Sequence, residues 1–321
     1  MVRDYVLAGY VKIHLDASMP CAGDSTGVLD SAVAAQRAAE LCRAAEDAWT
    51  NLPAGSPQPV YVIGTEVPVP GGEQLESGAP AVTKPEAARQ TLEEHRATFA
   101  KLGLEDAFSR VIGLVVQPGV EFGSDNVFGY DRRLALHLSG QLPKYPELVY
   151  EAHSTDYQSG VALRQMVEDH FAILKVGPWL TFAMREAIFA LCSVEEEWLG
   201  WRSGVTISRV RQAIEQAMLE NGGYWKDYYT GTEGEVRLAR AYSFSDRIRY
   251  YWPDQKVQAE IEILIRNLAD NPPPLTLLSQ FLPAQYDAVR NGKIRPDPVS
   301  LIRHRIGQVL DLYSKASTVT T

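Results

Sequence analysis

The chain has 321 residues, 45% of them hydrophobic, and a formal net charge of −9. That is enough apolar material for a large core, and the acidic balance argues against a nucleic-acid partner while leaving room for a local basic cleft that takes phosphate. The cysteines Cys21, Cys42 and Cys192 are far apart and form no CxxC pair, no apolar run is long enough to span a bilayer, and the start MVRDYVLAGY lacks the apolar stretch of a signal peptide. A reducing, cytoplasmic setting without disulfides, zinc–thiolate site or membrane partner is therefore expected.

Val2–Ala8 reads as the last turns of a helix, with Gly9 as its stop. Tyr10–Leu15 (YVKIHL) is an expected strand that delivers Asp16 and Ser18 at its carboxyl end; His14, inside it, reads as a packed or hydrogen-bonded core histidine. Ser31–Thr50 places Val33, Ala34, Leu41 and Ala45 at helical spacing. Strand Val60–Gly64 runs into Glu66, and the prolines and glycines at Pro68, Pro70, Gly71 and Gly72 make a stiff loop that can fix a carboxylate. A loop salt bridge explains Glu66 equally well. Thr83 and Glu86 look like the cap and capping box of a helix Pro85–Leu102, on which His95 is expected to face solvent. Ser109–Val116 is a third strand, ending in Gln117, Pro118 and Gly119, with Glu121 beyond, and Leu134–Leu142 is helical.

The densest chemistry lies in Leu148–Gln158 (LVYEAHSTDYQ), where a short apolar run is followed by Glu151, His153, Ser154, Thr155 and Asp156. The carboxyl end of a buried parallel strand is where an α/β protein puts its chemistry. His153 or Asp156 suits a metal or a sugar hydroxyl; Ser154 and Thr155 suit a phosphate, or simply cap the helix Gly160–His170. His153 with Glu151 and Asp156 reads as a site. Phe171–Val176 is the fifth strand. Lys175 at its end suits a Schiff base, a phosphate, or first of all an ion pair with Glu66, Glu121 or Asp156, and Gly177 permits close approach to a ligand oxygen.

Beyond Leu180 the pattern is helical: Leu180–Gly200, Ser208–Glu220, Val257–Leu268, Leu275–Tyr286 and Pro298–Ala316, with aromatic-rich stretches Tyr224–Tyr229 and Tyr242–Trp252. Arg247 and Arg249 beside Ser245 and Asp246 suit bidentate phosphate binding. The repeats of strand, polar loop and helix predict an α/β fold of the TIM (β/α) barrel type. It is incomplete, at about five parallel strands over residues 1–180 where a closed barrel has eight, with a helical C-terminal region, 181–321, packed on it.

Seven ordered motifs, KIHLDASMPCAGD (Lys12–Asp24), YVIGTEVPVPGGE (Tyr61–Glu73), VVQPGVEF (Val115–Phe122), YEAHSTDYQ (Tyr150–Gln158), DHFAILKVGP (Asp169–Pro178), SDRIRYYWP (Ser245–Pro253) and LSQFLPAQY (Leu278–Tyr286), resemble the GatZ/KbaZ family. That resemblance implies a D-tagatose-1,6-bisphosphate aldolase accessory subunit beside a catalytic class II aldolase chain; some members are ketohexose-phosphate 4-epimerases. It also implies a phosphorylated ketohexose as ligand and is compatible with a homo-oligomer. Family members carry a further third of a barrel upstream, including Gly-Gly-Asp-His-Leu-Gly-Pro, which is absent here, so the chain reads as an N-terminally shortened member. More distantly, the strand ends are similar to metal-dependent class II sugar-phosphate aldolases. On that pattern His153 and Glu66 are metal ligands for zinc, manganese or magnesium, and Asp16, Glu66 and Asp156 are catalytic. Ser18, Gln117, Ser154, Lys175, Gly177 and Arg247 then serve the substrate and its phosphate. Gln117 stands near the place of one ligand histidine, and a second has no counterpart.

Overall fold

The computed structural model describes residues 1–24, 29–64 and 80–318. Among these described residues seven strands are formed: β1 (Lys12–His14), β2 (Val60–Ile63), β3 (Val111–Val116), β4 (Glu121–Phe122), β5 (Val127–Phe128), β6 (Val149–Ala152) and β7 (Ile173–Leu174). Five of them pair in parallel in the order β1-β2-β3-β6-β7, as the repeats predict, while β4 and β5 make an antiparallel hairpin that the sequence did not announce. Register sets Lys12 opposite Val60, Gly113 opposite Val149 and Glu151 opposite Ile173.

Alternation along each strand then sorts the side chains. Ile13, Tyr61, Ile63, Leu114, Val116 and Tyr150 pack outward into one core with the helices. Their neighbours Lys12, His14, Val62, Gly113 and Glu151 turn the other way. β1 and β7 are the edges, four strand spacings apart, or about 19 Å if the sheet were flat at ~4.8 Å per strand. Yet Lys175 Nζ, just beyond β7, stands 3.4 Å from His14 Nδ1 on β1. Two side chains cannot bridge the flat distance, so the sheet curls into part of a barrel with a concave inner face. Gly113 leaves room on the inner face: a Cβ there would lie 3.2 Å from Val62 Cγ2 and 3.3 Å from Ile173 Cδ1.

The helices are α1 (Val2–Leu7), α2 (Ser31–Trp49), α3 (Pro85–Lys101), α4 (Glu105–Phe108), α5 (Arg132–Ser139), α6 (Gly160–Glu168) and α7 (Trp179–Leu199). They continue as α8 (Val210–Glu220), α9 (Glu233–Tyr242), α10 (Gln255–Asp270), α11 (Leu275–Phe281), α12 (Pro283–Arg290) and α13 (Pro298–Ser317). The second hydrophobic core joins α7, α8, α10 and α11 through Leu191, Val194, Met218, Leu264 and Leu278. α13 lies against both α6 and α7, tying the helical region to the sheet's helices.

Several local expectations are corrected. Lys84, not Thr83, occupies the N-cap of α3 and no side chain caps it; the Thr83 hydroxyl instead accepts the Gln117 N–H at 2.7 Å. His95 is 1% exposed rather than solvent-facing, with Nδ1 2.8 Å from the Thr91 carbonyl. The reason is helical period: Ala88, Leu92, His95 and Phe99 form the buried stripe of α3, which packs on α2. The stretch Leu275–Tyr286 divides into α11 and α12, because Pro283 has no N–H to continue a helix and opens the next at its first position. Helix α9 was unforeseen, although Thr232 and Glu235 spell out the capping box that starts it.

Candidate functional site

Glu151 is the inward residue of β6, fixed there because Tyr150 and Ala152 on either side belong to the outer core. It is fully buried, and its Oε1 collects nitrogen atoms from three segments: His153 Nε2 at 2.9 Å, His14 Nδ1 at 3.2 Å and Lys175 Nζ at 3.4 Å. Lys12 Nζ lies 3.7 Å from Oε2. Burial pushes the Glu151 carboxyl up, but the His153 hydrogen bond and the nearby His14 and Lys175 outweigh it and hold the group down at about 2. Burial, helped by Lys175 and opposed by Glu151, takes His14 down to about 4, so this imidazole is neutral at pH 7.

His14, Glu151 and His153 each place a donor atom within 4.8 Å of the others. His14 Nε2 is buried without a hydrogen-bond partner, and Glu151 Oε2 has no hydrogen bond beyond its long ion pair with Lys12, an arrangement that costs energy unless something else uses those atoms. The triad therefore fits a divalent cation. Two imidazoles and a carboxylate suit zinc or manganese better than magnesium, which prefers oxygen ligands alone. Lys175, with its side chain 40% exposed, supplies the positive charge that balances Glu151. The ion pair expected of Lys175 thus forms with Glu151, not with Glu121 or Asp156.

The other sequence-named residues fall at several places. Asp16 is exposed just past β1, accepting from the Ser18 hydroxyl at 2.7 Å and the Ser18 N–H at 3.2 Å. Its charge acts on His14, so it borders the cluster. Ser154 is half-buried and held in the left-handed region at φ 52°. Asp156, 1% exposed, accepts N–H bonds from Gly177 at 2.9 and 3.1 Å and from Trp179 at 2.9 Å. Its carboxylate thus holds the start of α7, where the Gly177 N–H was expected to meet a phosphate. Burial pushes the Asp156 carboxyl up to about 6 in spite of those bonds. The Gln117 side chain folds back, its Oε1 accepting the N–H groups of Gly119 and Val120 at 2.8 and 3.1 Å. Arg247 is 3% exposed, donates to the Tyr224 carbonyl at 2.8 Å and lies over the Tyr228 ring. Glu66 lies outside the described residues.

His14 is the hydrogen-bonded histidine the sequence suggested, in contact with Glu151 and Lys175, but sequence reading passed over it as a candidate ligand. The signal was present in β1, where polar Lys12 and His14 alternate with apolar Ile13 and Leu15. No local pattern revealed that α13 reaches the same strand end, where the Tyr313 hydroxyl donates to the Thr155 carbonyl at 2.8 Å.

A family model described as D-tagatose-1,6-bisphosphate aldolase subunit GatZ/KbaZ-like matches residues 1–318. Among solved structures, the crystal structure of a probable tagatose 6 phosphate kinase from Sinorhizobium meliloti 1021 is similar, with a TM-score of 0.87 at 44% sequence identity. The match covers 98% of this chain and 75% of that one.

Proposed function

The chain belongs to the D-tagatose-1,6-bisphosphate aldolase subunit GatZ/KbaZ-like family, and from that premise we propose that it works beside a catalytic class II aldolase chain that cleaves a phosphorylated ketohexose. The family match over nearly the whole length carries this reading. Both comparisons name a phosphorylated tagatose, which supports the substrate class. Sugar phosphates do not cross membranes unaided, so the reading goes with a cytoplasmic setting. The test is an aldolase assay on tagatose 1,6-bisphosphate with the catalytic chain alone and with this chain added. A rise in rate or in the half-life of activity is expected; no change in either would sink the proposal.

The inner-face triad favours a second reading, a 4-epimerase acting between fructose 6-phosphate and tagatose 6-phosphate. His14, Glu151 and His153 would hold a divalent ion, which supplies Lewis-acid stabilisation of an enolate or alkoxide oxygen. The chain's own groups have distinct parts in this reading. Neutral His14 is in the state that ligation requires. Ionised Glu151 anchors both imidazoles. Lys175, partly exposed beside them, is placed to meet a phosphate or a developing oxyanion. Asp16, exposed at the rim, is placed to accept a proton. Incubation with fructose 6-phosphate and manganese or zinc should yield tagatose 6-phosphate if this reading holds, and no product with either ion counts against it.

A further inference from the structure

The motif LSQFLPAQY (Leu278–Tyr286) takes no part in the chemistry above. Its second half lines a cavity of about 700 Å³ between α7, α12 and α13. Gln285, 2% exposed, donates from Nε2 to His304 Nδ1 at 3.1 Å and to Gln308 Oε1 at 3.0 Å. With Nδ1 accepting, the His304 proton sits on Nε2. That N–H, and the carbonyl oxygen of Gln285, have no hydrogen-bond partner among the described residues, so the wall offers one open donor and one open acceptor.

The charges of the lining cancel. Arg305 is paired with Glu186 of α7, and Asp311 and Lys315 stand exposed along α13. Trp179 and Phe281 add aromatic surface, and Leu282 and Leu312 apolar surface. A phosphate here would face two carboxylates against a guanidinium already engaged and a single exposed ammonium, Lys315, at the rim. A purely apolar ligand would leave the amide and imidazole groups unpaired. What matches is a neutral molecule carrying several hydroxyls, each both donor and acceptor, with C–H faces to lay on the rings. We propose that this cavity is a second ligand site, for a non-phosphorylated sugar or polyol of about hexose size, separate from the inner-face cluster.

The site also touches the anchorage of that cluster. The Trp179 N–H holds Asp156 at 2.9 Å, and Tyr313 on α13 holds Thr155. A ligand gripping α7 and α13 therefore braces the two helices that fix the strand end just past His153.

The test is titration calorimetry on the 321-residue chain with D-tagatose, sorbitol and D-tagatose 6-phosphate as probes. At least one neutral probe is expected to bind one-to-one. Gln308→Leu and Ala284→Phe, on different helices and each checked for folding by circular dichroism, should raise its Kd roughly tenfold or more. Lys175→Gln should leave it unchanged. Absence of heat from both neutral probes at millimolar concentration overturns the proposal. So does a Kd indifferent to every folded cavity variant. Equal weakening of D-tagatose 6-phosphate by the cavity variants overturns the assignment to a neutral ligand.

Discussion

Glu151 Oε1 faces nitrogen atoms of His153, His14 and Lys175 within 3.4 Å, and the metal binding proposed for this cluster can be tested residue by residue. His14→Ala and His153→Ala should each weaken zinc or manganese binding at least about tenfold, since loss even of a supporting residue costs 10–100-fold. The melting temperature should fall little, because both side chains sit at the mouth of the inner face and not in the outer core. Titration calorimetry beside thermal melts checks this, and a collapse of the fold in either variant would make that histidine structural. Asp156 gives a pH signature. Its folded carboxyl binds a proton more tightly than the unfolded one, whose ordinary value is 3.8 against about 6 in the fold. The stability it contributes is therefore complete below about pH 4 and is lost as pH rises through about 6, a change of roughly 3 kcal/mol. Measured as the difference between wild type and Asp156→Asn, stability should decline between those limits and level off above them. A flat difference would mean the carboxyl titrates normally.

At the scale of elements, two glycines decide how closely the strands approach. Gly64, just past β2, has φ +149°, and a Cβ on it would lie 2.6 Å from Val115 Cβ and 2.9 Å from the Val115 nitrogen. Gly113 is tight only against side-chain methyl groups. Gly64→Ala should therefore destabilise by about 3 kcal/mol, and Gly113→Ala by about 1 kcal/mol, since methyl groups can shift where backbone cannot. Chemical denaturation of both variants tests the order; equal losses would show that the β2 end is not held against β3. The helical region is joined to the strand ends through one segment as well. Asp246 accepts from Thr181 at 2.6 Å and from Arg185 at 3.3 Å on α7, and the Tyr157 hydroxyl donates to the Phe244 carbonyl. The segment Ser245–Arg249, whose arginines the sequence suggested for phosphate, thus packs on α7 and beside Tyr157 at the strand end, with Arg249 acting electrostatically on Asp156.

At the scale of the molecule, β1 and β7 are the edges of the parallel sheet among the described residues. Edge strands present unpaired backbone groups and template association. The 321-residue chain is therefore expected to self-associate or to pair with another chain, as sedimentation velocity would show; a monodisperse monomer with a sharp, reversible melt would contradict this. The parallel strands, their order of chemistry and the family were legible in the sequence, because apolar runs and polar strand ends are properties of consecutive residues. His153 and Lys175 could be picked out for the same reason. The partner of Lys175, the convergence of His14 on Glu151 and the burial of His95 could not. Each depends on which face of a strand or helix meets which neighbour, and residues as far apart as His14, Glu151 and Lys175 become adjacent only when the sheet curls. Local pattern determined the elements and their class; the curvature of the sheet decided the site, because it alone brings side chains from opposite edges onto one carboxylate.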